Sequence, residues 1–566
     1  MLSLAGPAAA TEHELLAVKS TSYPIPEGAV FVSAFGSDQN AGTITRPLRT
    51  VSAAITAASE GGTIVIRQGT YREALPDLSK RLTLQPFPGE TVWLKGSMVA
   101  AGWVADGNAW RMLGRAHDFC GDCFHPDNID PAFPTAGLPD QVFIDAAPLK
   151  QVARRSLVTA GSFYVDRTAK RLFIGSDPRG RTVEVSVRGT ALAIENGGQG
   201  SIVRGLGFAH YSPVAQPGLG GTVKGNAGNL TFENNTFAWS AAKGLVIFAT
   251  RGTVRGNTFI YNGMMGLGAW NADGLKVTGN RFAFNNQEGF VLSGTVSEAA
   301  GAKLTNTRDL QVTDNVFEGN LANGLWLDIN ISNAVITRNV FKANRRHGVF
   351  YEISSNGIIA SNIAERNAVA GIALANATHI QVYNNTLFGN AFAFLVQADD
   401  RVNNDPEQVK LGNSWIAGAT YFYNNLISGT GELSRAFIWA RDFSGVLNAD
   451  QMISGSGFNG YHRVEASKPR HVVEWWQDSK RILFININEF QSKANRDIRS
   501  FMVDDTPINP FFSGARSGKF ALAPGSVARN AGRDLPTDVA LAIGVSNRRA
   551  PNLGALLLPG GAVVSP

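Results

Sequence analysis

The chain has 566 residues, of which 44% are hydrophobic and 17% are charged, a composition that suits a folded soluble protein. The net charge is +6, and the basic residues are scattered, which excludes a typical nucleic-acid partner and mildly favours an acidic one such as an anionic polysaccharide. No apolar stretch approaches the ~20 residues that cross a bilayer, so no membrane span is predicted.

The N-terminal residues 1–27 are predicted to be flexible. Residues 1–10 (MLSLAGPAAA) are typical of the end of a secretory signal, because a short apolar run is followed by small residues. The segment lacks a basic start, so a floppy terminus is the alternative. We expect a bacterial protein that is secreted or periplasmic.

Residues 28–100 are predicted to hold an N-terminal cap and the first coils of a repeat. Within 48–58 (LRTVSAAITAA) the apolar residues fall on one helical face, and Gly61-Gly62 ends the predicted helix. Residues 63–67 then begin a strand. An amphipathic helix is suited to cover the apolar end of a stack of coils.

Residues 101–195 break the repeat and are predicted to form a small β-rich insertion, because three segments alternate in the manner of strands. This region contains both cysteines of the chain, Cys120 and Cys123. We predict a local disulfide between them. The alternatives are a free thiol pair and a zinc site completed by His117 and His125.

One tripeptide, Asn followed by any residue and usually Phe, recurs seven times. The copies begin at Asn235, Asn257, Asn280, Asn315, Asn339, Asn362 and Asn385, in steps of 22, 23, 35, 24, 23 and 23 residues. Such a period indicates one structural unit per repeat, stacked on its neighbours. Each unit is too short for a strand–helix–strand motif and lacks a helical apolar period. We therefore predict an all-β chain, a parallel β-helix with ~23-residue coils, whose central coils occupy 196–428 and whose last coils and cap occupy 429–566.

The repeated side chains have structural roles in this prediction. Aligned Asn side chains lie on coils ~4.8 Å apart, where each amide can donate to the next. A second Asn column is predicted three residues after each Phe-type position: Asn262, Asn285, Asn320, Asn344, Asn367 and Asn390. The Phe residues are predicted to stack in the core.

The segments FVSAFGSD (31–38), RPLRTVSAAITAA (46–58) and GGTIVIRQGTYRE (61–73), together with the later repeats, resemble bacterial right-handed parallel β-helix proteins of the pectate lyase-like superfold. The resemblance implies a right-handed single-stranded parallel β-helix and a carbohydrate-active enzyme. Its chemical meaning is broad, because the superfold includes polysaccharide lyases, glycoside hydrolases, epimerases and non-enzymatic surface proteins.

A Gly after each second Asn begins a predicted strand whose second and fourth following residues point to solvent. One outward column reads Val246, Gly268, Val291, Trp326, Phe350 and Ala373, and the other reads Phe248, Trp270, Ser293, Asp328, Glu352 and Ala375. The two acids are thus predicted to lie side by side on neighbouring coils, with Cα atoms ~5 Å apart.

Two close carboxylates repel, which raises one pKa, as a catalytic acid beside a nucleophile or base requires. Asp328 and Glu352 are therefore our candidate catalytic residues. Trp326, Phe350 and Trp270 are predicted to face solvent and to stack against sugar rings, since bare aromatic side chains are costly without a partner.

The 35-residue step adds about twelve residues, which we place after Ser293 as a loop over the acidic pair. This loop carries Glu298 and Lys303 as supporting residues. Arg346 and His347 are predicted at the other border of the groove, also in supporting roles.

Asn330 and Ser354 each follow an acid by two residues and are predicted to bind substrate hydroxyls. The acidic pair has other interpretations. Its members could be ordinary solvated charges, or they could form a calcium site together with Asn330.

Three functions fit these patterns. Our leading prediction is a glycoside hydrolase that uses Asp328 and Glu352 as acid and nucleophile or base, without a cofactor. The first alternative is a polysaccharide lyase or uronate C5-epimerase on an acidic glycan, with calcium as a candidate cofactor. Its candidate bases are Lys303, His347, Arg346 and Tyr351. The second alternative is a non-catalytic glycan-binding surface protein.

Overall fold

The computed structural model describes residues 17–113, 119–216, 220–294, 296–429 and 433–556. Their contacts divide the chain into two compact units. The first unit lies within Met1–Lys224 and Phe232–Gly244, and the second within Gly225–Thr231 and Leu245–Pro566. The fold is all-β, with short parallel strands in both units.

The first unit contains parallel strands and one cap helix. One parallel set is Val30–Val32, Thr63–Ile66, Thr83–Pro86 and Ile202–Arg204, a second is Gly69–Tyr71, Val92–Lys95, Gly207–Ala209 and Thr236–Ala238, and a third includes Leu192–Ile194 and Val223–Gly225. The helix Val51–Ala57 begins after Thr50, whose side chain accepts the Ala53 N–H. It buries Val51 and Ile55, which confirms the predicted amphipathic cap helix.

The predicted insertion contains one antiparallel sheet and one mixed sheet, in which Lys150–Gln151 pairs in parallel with Ser162–Asp166, around an apolar core. One sheet is formed by Ser97–Val99, Val183–Ser186, Val142–Ile144 and Ala147–Pro148, and the other by Val104–Asp106, Ala109–Leu113, Arg171–Ile174, Ser162–Asp166 and Lys150–Gln151. Two short 3₁₀ helices, Pro126–Asn128 and Arg155–Leu157, connect its strands. Cys120 and Cys123 form the predicted disulfide, whereas His117 of the zinc alternative lies outside the described residues.

Residues 17–27 are held against the first unit. Val18 is buried, Thr236 Oγ1 donates to the Ala17 carbonyl (3.1 Å), and Asn234 Nδ2 donates to the Tyr23 hydroxyl (2.9 Å). The prediction that 1–27 is flexible is therefore wrong for 17–27, because specific side-chain bonds fix this segment. Residues 1–16 lie outside the described residues.

The second unit is a right-handed parallel β-helix whose coils each contribute strands to three sheets. The first sheet contains Thr253–Arg255, Lys276–Thr278, Gln311–Thr313, Ala334–Thr337, Ser355–Ala360, Thr378–Tyr383, Thr420–Tyr423 and Ile453–Gly457. The second contains Thr258–Ile260, Arg281–Ala283, Val316–Glu318, Val340–Lys342, Ile363–Glu365, Thr386–Phe388, Leu426–Gly429, Gly460–Arg463 and Phe501–Val503.

The third sheet carries the candidate site and is called the site sheet. Its strands are Met265–Trp270, Ala300–Thr305, Asn323–Asp328, His347–Glu352, Ala370–Ala375, Phe392–Ala398, Ala436–Asp442 and Val473–Gln477, with Lys480–Phe484 added antiparallel. The strands Val223–Gly225, Thr231–Glu233 and Lys243–Ile247 contain the three points where the chain passes between the units. The remaining elements are the helices Pro406–Lys410, Ala449–Met452, Ile487–Ala494 and Thr537–Ile543, the 3₁₀ helix Ala515–Ser517, and the hairpin strands Phe512–Gly514 and Lys519–Leu522.

The repeated residues fix the register of the coils. Asn315 donates from its backbone N–H and its Nδ2 to Asn339 Oδ1, both at 2.9 Å, and this pattern recurs along both predicted Asn columns. Phe317 stacks between Phe282 and Phe341, with ring centroids 4.6 and 5.0 Å apart. The amides satisfy one another in the interior while the rings fill the core, so each coil is aligned with the next.

Candidate active site

The acidic pair lies on neighbouring strands of the site sheet. Strand pairing aligns Trp326 with Phe350 and Leu327 with Tyr351, so Asp328 is beside Glu352 at the end of both strands. Leu327 and Tyr351 are buried in the core, which leaves the acids on the outer side. The predicted registration of the two carboxylates is confirmed.

Lys303 occupies a different place from the one we predicted. It lies on the strand Ala300–Thr305 and is aligned with Trp326, in the same outward column. The inserted residues thus precede this strand, and Val291 and Ser293 belong to the insertion instead of the columns. The prediction of an overhanging loop lysine is wrong, and Lys303 is part of the sheet itself.

The Lys303 ammonium group links three parts of the site. Its Nζ is 2.9 Å from Asp328 Oδ2, donates to the Ser297 carbonyl at 2.7 Å, and lies 3.8 Å from the ring centroid of Trp326. Because both charged side chains are more than nine-tenths buried, this is a largely dehydrated ion pair. It fixes the Asp328 carboxylate and ties the segment that precedes the strand Ala300–Thr305 to the site sheet.

Glu352 is bound on both carboxylate oxygens. Trp326 Nε1 donates to its Oε2 at 3.0 Å, and Arg401 Nη1 donates to its Oε1 at 2.8 Å. Arg401 also donates from Nε to Asp399, 2.9 Å from Oδ1. Glu352 is thus connected to Asp328 through Trp326 and Lys303. Through Arg401 it is also connected to the segment that follows the strand Phe392–Ala398.

Burial and the neighbouring negative charge of Asp328 raise the pKa of Glu352 above its ordinary value of 4.5. The cations Arg401 and Lys303 oppose this shift without cancelling it. A carboxyl group whose pKa is raised holds its proton to a higher pH than an ordinary carboxyl group does, which favours the role of a proton donor.

The raised pKa predicts a pH dependence of folding stability. The folded state binds the Glu352 proton more tightly than the unfolded state does, so this stabilisation is fully present below about pH 4.5 and is lost as pH rises through the folded pKa. We expect the free energy of unfolding of the wild type, minus that of Glu352→Gln, to fall across this window in urea titrations. A constant difference at all pH values would contradict the shift.

Contrary to our prediction, Trp326 and Phe350 are not open to solvent. They are 4% and 6% exposed, and their ring centroids are 5.6 Å apart. The Lys303 ammonium covers Trp326, while Leu395 packs in the same apolar cluster. These rings support the acids from the side, and Trp326 does so directly through its N–H.

Trp270 is half-buried and lies two rungs from Asp328, since it pairs with Thr305 and Thr305 pairs with Asp328. Its ring stacks on Phe248 with centroids 5.4 Å apart, and it packs over Gly268. Among the three predicted sugar-stacking aromatic residues, it keeps the most accessible ring.

Arg346 and His347 lie at the start of the strand that ends in Glu352. The Arg346 guanidinium is half-buried and forms no hydrogen bond or ion pair with a described residue; burial lowers its pKa, against the charge of Glu352. His347 is buried against Phe350, with ring centroids 4.9 Å apart. Burial, followed by the charge of Arg346, lowers the pKa of His347 to about 3, so its imidazole is neutral at ordinary pH.

Asn330 and Ser354, predicted to bind substrate hydroxyls, form structural hydrogen bonds instead. Asn330 Oδ1 accepts from Asn403 Nδ2 and from Trp415 Nε1, both at 2.9 Å. Ser354 is buried, and its hydroxyl donates to the Glu352 carbonyl at 2.6 Å. An oxygen that accepts from two N–H donors is not presented to a cation, which also argues against calcium at Asn330.

Two insertions border the site. The first, residues 286–299, enters before the strand that carries Lys303 and includes the buried Glu298, next to Ser297. The second, residues 399–419, leaves after the strand Phe392–Ala398 and supplies Arg401.

Sequence reasoning missed Arg401 and Asp399, although a signal was present. The Asn column continues from Asn385 to Asn425 across 40 residues, compared with 23 for the preceding step. This second long step marks an insertion at the edge of the sheet where the strands with Asp328 and Glu352 end.

Comparisons with known proteins agree with the fold. Residues 221–387 match the family model described as a right handed beta helix region. The uncharacterized protein YwoF of Bacillus subtilis (strain 168) is 40% identical over 77 residues, 12% of this chain. The match spans 16% of the length of that curated relative.

Two solved structures illustrate the structural similarity. The complex of XylC with xylose aligns over 77% of this chain and 83% of that one, at 18% identity and a TM-score of 0.57. The A-module of the Azotobacter vinelandii mannuronan C-5 epimerase AlgE4 covers 73% and 88%, at 14% identity and a TM-score of 0.38. The family-model match and the similarity to the XylC complex agree with the predicted right-handed parallel β-helix.

Proposed function

We propose that this protein is a glycoside hydrolase that cleaves a polysaccharide or oligosaccharide at Asp328 and Glu352. The observation that carries the proposal is the position of two carboxylates on adjacent rungs, where burial and Asp328 raise the pKa of Glu352. Glycosidases require such a pair, with one protonated acid and one carboxylate whose charge faces the reacting carbon.

In this mechanism Glu352 donates its proton to the glycosidic oxygen as the bond to the anomeric carbon breaks. In a retaining reaction Asp328 attacks that carbon as the leaving group departs, and a water molecule deprotonated by the Glu352 carboxylate then hydrolyses the bond between the sugar and Asp328. In an inverting reaction Asp328 deprotonates the water that attacks the carbon. Lys303 holds the Asp328 carboxylate at 2.9 Å, and Trp326 orients Glu352 through its N–H. After protonation of the leaving group, the Glu352 carboxylate is stabilised by Arg401.

The lyase alternative is less well supported because three of its four candidate bases are engaged or inaccessible, and the fourth, Arg346, carries a guanidinium that stays protonated in proteins and so cannot act as a base. Tyr351 is buried and donates to the Ser355 carbonyl at 2.8 Å, and burial raises its pKa. His347 is buried, and Lys303 is held by an ion pair. None of these groups is placed to take a proton from a substrate carbon.

A product assay on a polysaccharide panel tests the proposed function. The panel contains xylan, glucuronoxylan, alginate and polygalacturonate, with xylo-oligosaccharides added because one protein of similar fold is described in complex with xylose. We expect new reducing ends without the ultraviolet absorbance of an unsaturated sugar. An absorbing product would establish the lyase, and binding without any product would establish a glycan-binding protein.

Export from the cytoplasm remains our prediction, and the disulfide Cys120–Cys123 supports it, because disulfides persist in oxidising compartments. Within the described ranges, no helix has the length and apolar character needed to cross a membrane.

A further inference from the structure

A second cluster of aromatic side chains lies on the site sheet, away from the acidic pair. It consists of Trp439, Arg441, Phe443 and Trp476 and is called the distal patch. The ring of Trp439 is central, with its centroid 5.9 Å from that of Phe443 and 5.3 Å from that of Trp476. Phe443 is 55% exposed and both tryptophans are half-buried. Clustered and exposed rings are typical of a binding surface.

Strand pairing relates the distal patch to the acidic pair. Glu352 pairs with Ala375, and Ala375 pairs with Gln397. Gln397 in turn pairs with Arg441. Arg441 is thus three rungs from Glu352 in the same column, which corresponds to ~14 Å along the stack. A chain of several sugars that lies along the site sheet can reach both places.

The loop that presents Phe443 is held rigidly. The buried carboxylate of Asp442 accepts from the backbone N–H groups of Ser444 (2.9 Å), Val446 (2.8 Å) and Leu447 (2.7 Å), and from the Ser444 hydroxyl. These bonds fix the loop conformation before any ligand arrives. A preorganised ring loses little conformational entropy on binding, as expected of a built subsite.

Arg441 gives the distal patch a positive charge. Its guanidinium carbon is 4.3 Å from the ring centroid of Phe443 and 5.3 Å from that of Trp476. The neighbouring Arg481 is paired with Glu474 at 2.8 Å, whereas the guanidinium group of Arg441 forms no ion pair or hydrogen bond with a described residue. A half-buried cation beside exposed rings is suited to an anionic ligand that also has an apolar face.

We propose that the distal patch is a subsite for an acidic stretch of glycan, in which the rings stack on sugar faces and Arg441 binds a uronate carboxylate. The inference rests on the proposed hydrolase function, since the occupant is an uncleaved part of the same polysaccharide. It assigns to the enzyme a polymeric, uronate-bearing substrate that extends along the site sheet.

Affinity electrophoresis of the full chain tests this subsite without requiring turnover. The gels contain glucuronoxylan, alginate or polygalacturonate, or the carboxyl-reduced form of each polymer. We expect at least one acidic polymer to retard the wild type, and expect Phe443→Ala and Arg441→Gln each to weaken that binding about tenfold. The carboxyl-reduced polymer should bind the wild type about as weakly as the acidic polymer binds Arg441→Gln.

Phe35→Ala is the matched control, because Phe35 is 99% exposed in the first unit and its loss should leave retardation unchanged. Equal retardation of the wild type and both patch variants, or none in any gel, would overturn the proposal. Equal binding of a reduced polymer would overturn the assignment to an anionic glycan. A dimer that Phe443→Ala dissociates in sedimentation would identify the patch as a contact between copies. Retardation without hydrolysis of any polymer would refute the hydrolase and leave the subsite intact.

Discussion

Glu352→Gln is expected to lower kcat by about 10²–10⁴-fold on any polysaccharide that the wild type hydrolyses, because the variant has no proton to give to the leaving group. The amide has nearly the same volume, and its oxygen can still accept from Trp326 Nε1, although its NH2 group cannot accept from Arg401 Nη1. The side chain should therefore keep its place while one hydrogen bond is lost. Initial rates and thermal unfolding, measured side by side, check both statements. The wild-type rate should also fall as pH rises through the folded pKa of Glu352.

Glu365→Gln is a matched control for this experiment. Glu365 is also buried on the β-helix and paired with an arginine, Arg366, but it lies on the second sheet. We expect its substitution to leave kcat unchanged. A substrate with a very acidic leaving group needs little protonation, so it should restore much of the rate lost in Glu352→Gln. Full activity of Glu352→Gln on polysaccharide would remove Glu352 from the mechanism.

The sequence predicted the β-helix and the registration of the two acids because both depend on local repeats. Each coil repeats an Asn and an apolar residue at fixed spacing, and amide ladders such as Asn315–Asn339 form only when coils are aligned. Once that alignment is set, the strand period of two residues determines that Asp328 and Glu352 share an outward column.

The boundary of the first insertion was not predictable from that local pattern. Gly289 follows Asn285 by the same four residues that separate Asn320 from Gly324, so the sequence favours a strand at 289–293. In the structure Gly301 takes the position next to Gly324, and a Cβ atom there would lie 2.6 Å from the Gly324 carbonyl oxygen. Gly301 has Ser297, and not an Asn, four residues before it, so the local pattern favours the segment at Gly289 while the tertiary packing places the segment at Gly301 in the sheet.

The burial of the site arises from contacts between residues far apart in sequence. Arg401 reaches Glu352 across 49 residues from an insertion that the repeat pattern does not describe. Lys303 covers Trp326 only because the insertion boundary places it one rung away. Open sugar-stacking rings were therefore predicted where the molecule has a closed ionic network, while the more exposed distal patch was not recognised.

Lys303→Met is expected to lower the free energy of unfolding by about 3–5 kcal/mol, because it leaves the buried Asp328 carboxylate without its counter-charge. The Ser297 carbonyl also loses its donor. Chemical denaturation of the wild type and the variant measures this loss. The double variant Lys303→Met/Asp328→Leu should regain most of the stability, because it removes both buried charges together and replaces them with apolar groups.

Lys410→Met is the matched control for the same substitution in an exposed ion pair. The side chains of Lys410 and its partner Glu407 are 71% and 76% exposed, so the change should cost no more than about 1 kcal/mol. An equally small loss in Lys303→Met would mean that water reaches Asp328, and burial of the two carboxyl groups would no longer account for the raised pKa of Glu352. If Lys303→Met is strongly destabilised while Glu352→Gln keeps full activity, the network has only a structural role, fastening the two insertions to the site sheet.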